Sequence, residues 1–250
     1  MNTFKSVIII SLLSLFIVAC SPAPVFRLAP DEKNTTFYYG AEYVQSDVDD
    51  ILVSLAYYRH AGNMISFDVE IVNYSEESVR ISPEKFYITA FNATPTHPDA
   101  TALKQVNAID PEEMLLAIDK KRSRENASEQ TNMVLHATGE VLSLAGELAS
   151  IGGDRSSEDR EEARRDRIER RAIRADQRYQ HDVEMHSLAV QRDSWEYDTL
   201  RKTDLLPDYH IRGLVYVPAN PDARYFELII PVDRTEHRFV FRQHRFDARR

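Results

Sequence analysis

From Ile51 onward, hydrophobic residues fall on alternate positions. Ile51, Val53, Leu55 and Tyr57 form one set, interleaved with Leu52, Ser54, Ala56 and Tyr58. After a turn-like cluster, His60-Ala61-Gly62-Asn63, the residues Ile65, Phe67, Val69 and Ile71 alternate with Ser66, Asp68 and Glu70. A period of two sends successive side chains to opposite faces of a strand, so the two runs predict a hairpin. Tyr74 to Ser78 reads as a further turn, Val79 and Ile81 as a short strand interrupted by Pro83, and Phe86 to Phe91 as the next strand. The pattern returns at Ile211–Val217, Tyr225–Val232 and His237–Gln243, separated by PANPDA and DRTE turns. In these strands Phe226, Leu228, Ile230, Val232, Phe239 and Phe241 are expected to face inward, and His237 and His244 to sit at the strand ends. Short strands at this spacing predict an antiparallel β-sandwich.

The stretch between the two β regions has a different period. Asp110-Pro111-Glu112-Glu113 is a helix start, with an acceptor at the N-cap, proline at the first helical position and a carboxylate at the third. Met133, Ala137, Val141, Leu144, Leu148 and Ile151 then share one stripe. Gly152-Gly153 is a stop and Ser156 to Asp159 offers a new cap. The second helix runs to about Lys202, with Ile168, Ala172, Ala175, Tyr179, His186 and Val190 as its stripe. Two helices of roughly 60–70 Å joined by a short glycine turn are expected to fold back as an antiparallel hairpin. Gly139, Gly146 and Gly153 recur every seven residues. This spacing suits a close helix-to-helix seam, and equally suits weak points, since an interior Gly costs about 1 kcal/mol against Ala.

The N-terminus reads as an address. Met1 to Lys5 is a short basic start, and the apolar run to Ala19 is too short to span a bilayer but has the length of a signal-peptide core. It ends in Ile17-Val18-Ala19-Cys20, which resembles a bacterial lipobox. The resemblance implies recognition of Ile17, Val18 and Ala19 by lipoprotein signal peptidase, then a diacylglyceryl thioether and an acylated amino group on Cys20. Several acyl chains make an anchor stable. The alternative is an ordinary signal peptide cut near Ala19. Ser21 rather than Asp follows the cysteine, which by resemblance to the enterobacterial sorting rule implies the outer membrane. The expected division is a signal peptide over 1–19, a flexible tether over 20–36, sandwich over 37–109, helical hairpin over 110–203, and the remaining sandwich with a polar tail over 204–250.

Charge and composition narrow the function classes. With 43% hydrophobic and 28% charged residues, the 250-residue chain can bury a core and keep a large wet surface. A net charge of −9 argues against a general nucleic-acid binder, because a polyanion needs a basic face. Only one cysteine is present, so the exported part must hold together by packing, without internal disulfides.

The runs FDVEIVNYSEESVRISPEKFYI, LLPDYHIRGLVYVP and YFELIIPV resemble the telokin-like, immunoglobulin-like domains of many bacterial lipoproteins. In that family an Asn closes a strand, a Pro-containing loop leads to the next, and a Pro-Gly turn opens a later one. Here Asp208-Tyr209 replaces the Pro-Gly, and the helical insertion lies outside the family pattern. The resemblance covers about half of the mature chain. It implies an α+β architecture, an immunoglobulin-like antiparallel β-sandwich with a long inserted helical hairpin, and carries no catalytic residues.

The sequence offers no catalytic constellation, no metal site and no cofactor motif. The eight histidines are scattered, and Asp182 with His186 has no third ligand at motif spacing. The segment DRSSEDREEARRDRIERRAIRADQR mixes eight acidic with nine basic residues, many at helical neighbour spacing, so it reads first as a self-compensated wet face. Its arginines Arg160, Arg164, Arg167, Arg171 and Arg174 form a candidate partner surface. Phe37, Tyr38, Tyr39, Tyr43, Tyr57 and Tyr58 read either as strand packing or as an exposed aromatic platform. The expected function is that of a non-enzymatic envelope interaction or scaffold protein, anchored through Cys20 and meeting an envelope protein or itself through the hairpin. The alternatives are a glycan- or peptide-binding sandwich and an envelope hydrolase.

Overall fold

The computed structural model describes the backbone of residues 24–149 and 157–247, with side chains over most of that range. The predicted hairpin forms as β4 (Ile51–Ala61) and β5 (Met64–Asn73), paired in register from Ile51 with Asn73 to Ala61 with Met64. Its loop is the two residues Gly62-Asn63, with Gly62 at φ +61° where a side chain would be strained. One extra residue, Tyr58, bulges from β4 between Tyr57 and Arg59.

The remaining strands are β1 (Val25–Pro30), β2 (Thr36–Tyr38), β3 (Ala41–Val48), β6 (Val79–Ile81), β7 (Tyr87–Phe91), β8 (Ala102–Asn107), β9 (Thr203–Leu205), β10 (His210–Pro218), β11 (Tyr225–Val232) and β12 (Thr235–Phe246). They form two five-stranded antiparallel sheets, ordered β1-β12-β11-β7-β8 and β10-β5-β4-β3-β2, with β6 and β9 as a separate pair. Pro83 breaks the chain after β6 as expected, starting a single 3-10 turn over Pro83–Lys85.

The inner faces meet through the period-two positions. Val53, Leu55, Phe67, Val69 and Ile71 from one sheet, and Phe226, Leu228, Ile230, Phe239 and Phe241 from the other, are fully buried. Phe67 and Phe241 join the sheets with ring centroids 5.1 Å apart. Each such side chain contributes about 1.5–3 kcal/mol by leaving water, which is how a chain without disulfides holds this β-sandwich together.

Two expectations are corrected. Residues 20–36 are not a continuous tether, since 25–30 is β1, an edge strand paired with β12 from Val25–Phe246 to Pro30–Phe241. Phe26 and Leu28 supply the alternation, and an edge position tolerates Pro30. His237 and His244 both lie inside β12, and His237 is wholly buried, its Nδ1 3.0 Å from Ser46 Oγ on the opposite sheet.

The helical part is a second compact unit, residues 109–201. It consists of α1 (Pro111–Ala149) and α2 (Ser157–Tyr197), each about 60 Å long. Asp110 caps α1, its Oδ1 accepting the Glu112 amide at 2.9 Å. The helices run antiparallel, as the pairs Glu112–Arg201, Asp119–Arg192 and Lys121–Glu184 establish. Gly152-Gly153 lies outside the described residues. In the sandwich unit, both ends of the insertion fasten to one turn: Ala108 N donates to Phe86 O at 2.7 Å, and Lys202 Nζ pairs with Glu84 Oε1 at 3.0 Å.

Candidate functional site

The expected stripe of α2 does not face α1. Ile168, Ala172, Ala175, Tyr179, His186 and Val190 are all exposed, as is Val183 between them. The seam between the helices uses the opposite side of α2. There Lys121 meets Glu184 and Arg192 meets Asp119. Farther along, Glu129, Asn132, Met133 and His136 border a small polar cleft with Arg174, Gln177 and Arg178. Sequence periodicity finds an apolar stripe but not the direction it points. Here charged pairs take the inner side, and the stripe is left outward.

Burial follows the same division. Leu115, Ile118, Leu188 and Trp195 are buried near one end of the helical unit. Among the described residues from 119 to 187, none is buried, and Met133, Val134, Leu135 and Ile173 are exposed alongside the α2 stripe. Helices draw most of their stability from burying an apolar face, and no described side chain in these stretches is fully buried, Met185 being only half-buried.

The arginine surface is dispersed. Arg164, Arg167 and Arg171 are exposed and Arg174 is half-buried, while the Arg160 side chain lies outside the described residues. Arg167 Nε turns back to Ala163 O at 3.3 Å and Arg174 Nε to Arg170 O at 3.2 Å. Glu161 and Arg165 approach to 3.8 Å one helical turn apart, at high exposure where such pairs add little. Cys20, Ile17, Val18 and Ala19 also lie outside the described residues.

The aromatic cluster divides in two. Tyr38 and Tyr39 meet edge to face at 4.6 Å, and Tyr38 lies 6.5 Å from Tyr43. Tyr39 is 93% exposed and holds φ +48°, a left-handed conformation unusual for a bulky residue. Tyr57 and Tyr58 belong to the other end of β4, near Phe26. Beside the first group, Tyr43 donates to Asp68 Oδ2 at 2.6 Å. Arg212 holds both oxygens of the same carboxylate and donates to Tyr43 Oη at 2.8 Å. These residues come from β3, β5 and β10 and lie on the outer face of their sheet. Burial, then the Asp68 carboxylate, pushes the Tyr43 phenol up to about 12. Burial alone would raise Asp68, but hydrogen bonds from Arg212 and Tyr43 outweigh it and hold the carboxyl below its usual range. Spacing along the sequence could not reveal this trio, because cross-strand register brings it together.

Among the described residues, no three His, Cys, Asp or Glu side chains converge as a metal site, and no helix is long and apolar enough to cross a membrane. Scans against protein-family models, curated proteins and solved structures give no match to this chain.

Proposed function

We propose that the protein is a lipid-anchored, non-enzymatic interaction protein of the bacterial cell envelope, in which an immunoglobulin-like sandwich carries a docking helix. The observation behind this reading is the outward stripe of α2, running from Ile168 to Val190 opposite a charged seam. An apolar stripe at intervals of three or four residues matches the side by which a helix meets another helix. The occupant that fits is a second copy of α2. Antiparallel pairing of two stripes centred between Ala175 and Tyr179 sets Ala175 against Tyr179, small against large. It also brings Arg178 of each helix toward Asp176 of the other.

The test compares cross-linking in intact envelopes for the full chain and for a version in which residues 110–203 are replaced by a short Gly/Ser loop. The expected outcome is a cross-linked pair of chains that disappears with the replacement. A folded, shortened chain with an unchanged set of partners removes the helices from the function.

A second reading, a glycan-binding sandwich face, is favoured by the Tyr38–Tyr39–Tyr43 group beside Asp68 and Arg212. On that reading Tyr39→Ala abolishes retention on envelope glycans while leaving the thermal midpoint within about 2 °C, since an exposed side chain contributes little to stability.

A further inference from the structure

One end of the sandwich has a surface unlike the rest of this acidic chain. Val25 on β1 stands directly opposite Phe246 on β12, at the end of their sheet, and the two are 55% and 54% exposed. Isolated apolar side chains are common on surfaces, but a cross-strand apolar pair at a strand end is a contiguous patch. Next to it a groove of about 750 Å³ opens between β1, the β4 bulge and residues 219–221. Phe26, Arg27, Tyr57, Tyr58 and Arg59 contribute to its walls. The bulge turns Tyr58 outward, more than half exposed, with the Arg59 guanidinium 5.5 Å from its ring centroid. Tyr57 Oη donates to Phe26 O at 3.3 Å, tying β4 to β1 at the groove floor. Among the described residues, neither Arg27 nor Arg59 has a carboxylate partner. Elsewhere in the sandwich Arg80 is paired with Asp204 and Arg212 with Asp68.

The position of this surface is as informative as its composition. Pro24 follows Cys20 by four residues, and a chain of that length spans at most about 14 Å. With acyl chains on Cys20, Pro24 at the mouth of the groove is held within that distance of the lipid headgroups, and Val25 is the next residue.

We propose that this end of the sandwich is a membrane-docking surface that recognises the phosphates of anionic lipids, with Arg27 and Arg59 on the phosphate oxygens and Val25, Tyr58 and Phe246 in the headgroup layer. It rests on the lipid-anchor reading of Cys20. Aromatic side chains favour the membrane interface because an apolar ring and a polar tip suit its two sides. Cations near an anionic surface each strengthen binding about fivefold. The anchor makes the encounter intramolecular, so weak individual contacts suffice. The rest of the chain is net acidic and is repelled, which fixes which end faces the lipid.

The test uses the chain from residue 20 onward, which holds every described element, with Cys20→Ser to remove the anchor. Its co-sedimentation is measured with phosphatidylcholine vesicles, with and without phosphatidylglycerol. The expected result is binding only with phosphatidylglycerol, weakened at least tenfold by Arg27→Glu with Arg59→Glu. Phe246→Ser should weaken it several-fold, and Arg234→Glu at the far end of β12 should leave it unchanged. Far-ultraviolet circular dichroism checks that each variant is folded. Absence of binding, equal binding to both lipids, or equal loss with Arg234→Glu overturns the inference. Palmitate labelling of the full chain tests the anchor separately. Unlabelled Cys20 with vesicle binding intact overturns the anchor and leaves the surface, whereas labelled Cys20 without binding overturns the surface alone.

Discussion

Asn73 is wholly buried at the end of β5, and every polar atom of its side chain is occupied. Its Nδ2 donates to Glu77 O at 2.8 Å and Leu205 O at 3.0 Å, while Oδ1 accepts from the Ser75 amide and hydroxyl. Its backbone bonds to Asp208 and Tyr209. One amide thus ties β5, the 74–78 loop and the start of β10. Asn73→Leu removes four side-chain hydrogen bonds, one of them the buried bond to Leu205 O, and is expected to cost about 2–4 kcal/mol, read as a lowered urea midpoint. His237 acts through protonation. Burial, the largest influence, holds its pKa below the ordinary 6.5, although Ser46, Asp47 and Asp49 push the other way. The unfolded chain therefore takes up a proton as the pH falls through 6.5, while the folded chain resists. Stability present at neutral pH declines on acidification toward the folded pKa. Urea midpoints measured from about pH 7 to pH 5 should fall, and His237→Gln should flatten that slope. An unchanged slope would assign the titration to another group. The β3–β4 turn supplies a case of the opposite sign. Asp49 and Asp50 hold φ +52° and +60°, which glycine adopts without strain. Asp50→Gly should raise stability by about 1 kcal/mol.

The strands and helices differ in how far the sequence revealed them. Strands with a clean period of two, such as β5 and β11, were legible to within a residue or two, because burial on one face writes itself into the pattern. β1, β2 and β8 were not: they are edge or near-edge strands whose outward residues, such as Arg27 and Lys104, are as polar as a tether's. The α1 start at Pro111 was legible from its cap. The seam was not, since periodicity marks an apolar stripe without saying what covers it, and charged pairs took the inner side. The cross-strand trio was equally hidden, because Tyr43, Asp68 and Arg212 become neighbours only through strand register. The outward stripe makes its own prediction. Tyr179→Asp with Ala172→Asp should abolish self-association by analytical ultracentrifugation and leave the thermal transition of the sheets unchanged. If the double variant still pairs, the stripe is not the contact.

Two units with different burial are expected to melt differently. The sandwich has a continuous inner layer, while residues 119–187 of the helical unit have no buried member among those described. The helical signal in circular dichroism should therefore begin to fall before the sheet signal, and the gap should narrow as protein concentration rises and copies associate. Coincident, concentration-independent transitions would show that the helices need no second copy. Trp195, the sole tryptophan, is buried in the described part of α2 and offers a fluorescence signal from that unit.

The fastening of both insertion ends to the turn around Glu84 and Phe86 has an evolutionary reading. A segment that departs and returns at one place can be lengthened, shortened or exchanged in a single genetic event, with the host strands keeping their partners. A sandwich of this kind can then act as a reusable mount. Lineages that share the mount are free to diverge in the helices, so conserved frame and variable cassette would be the signature to seek across genomes.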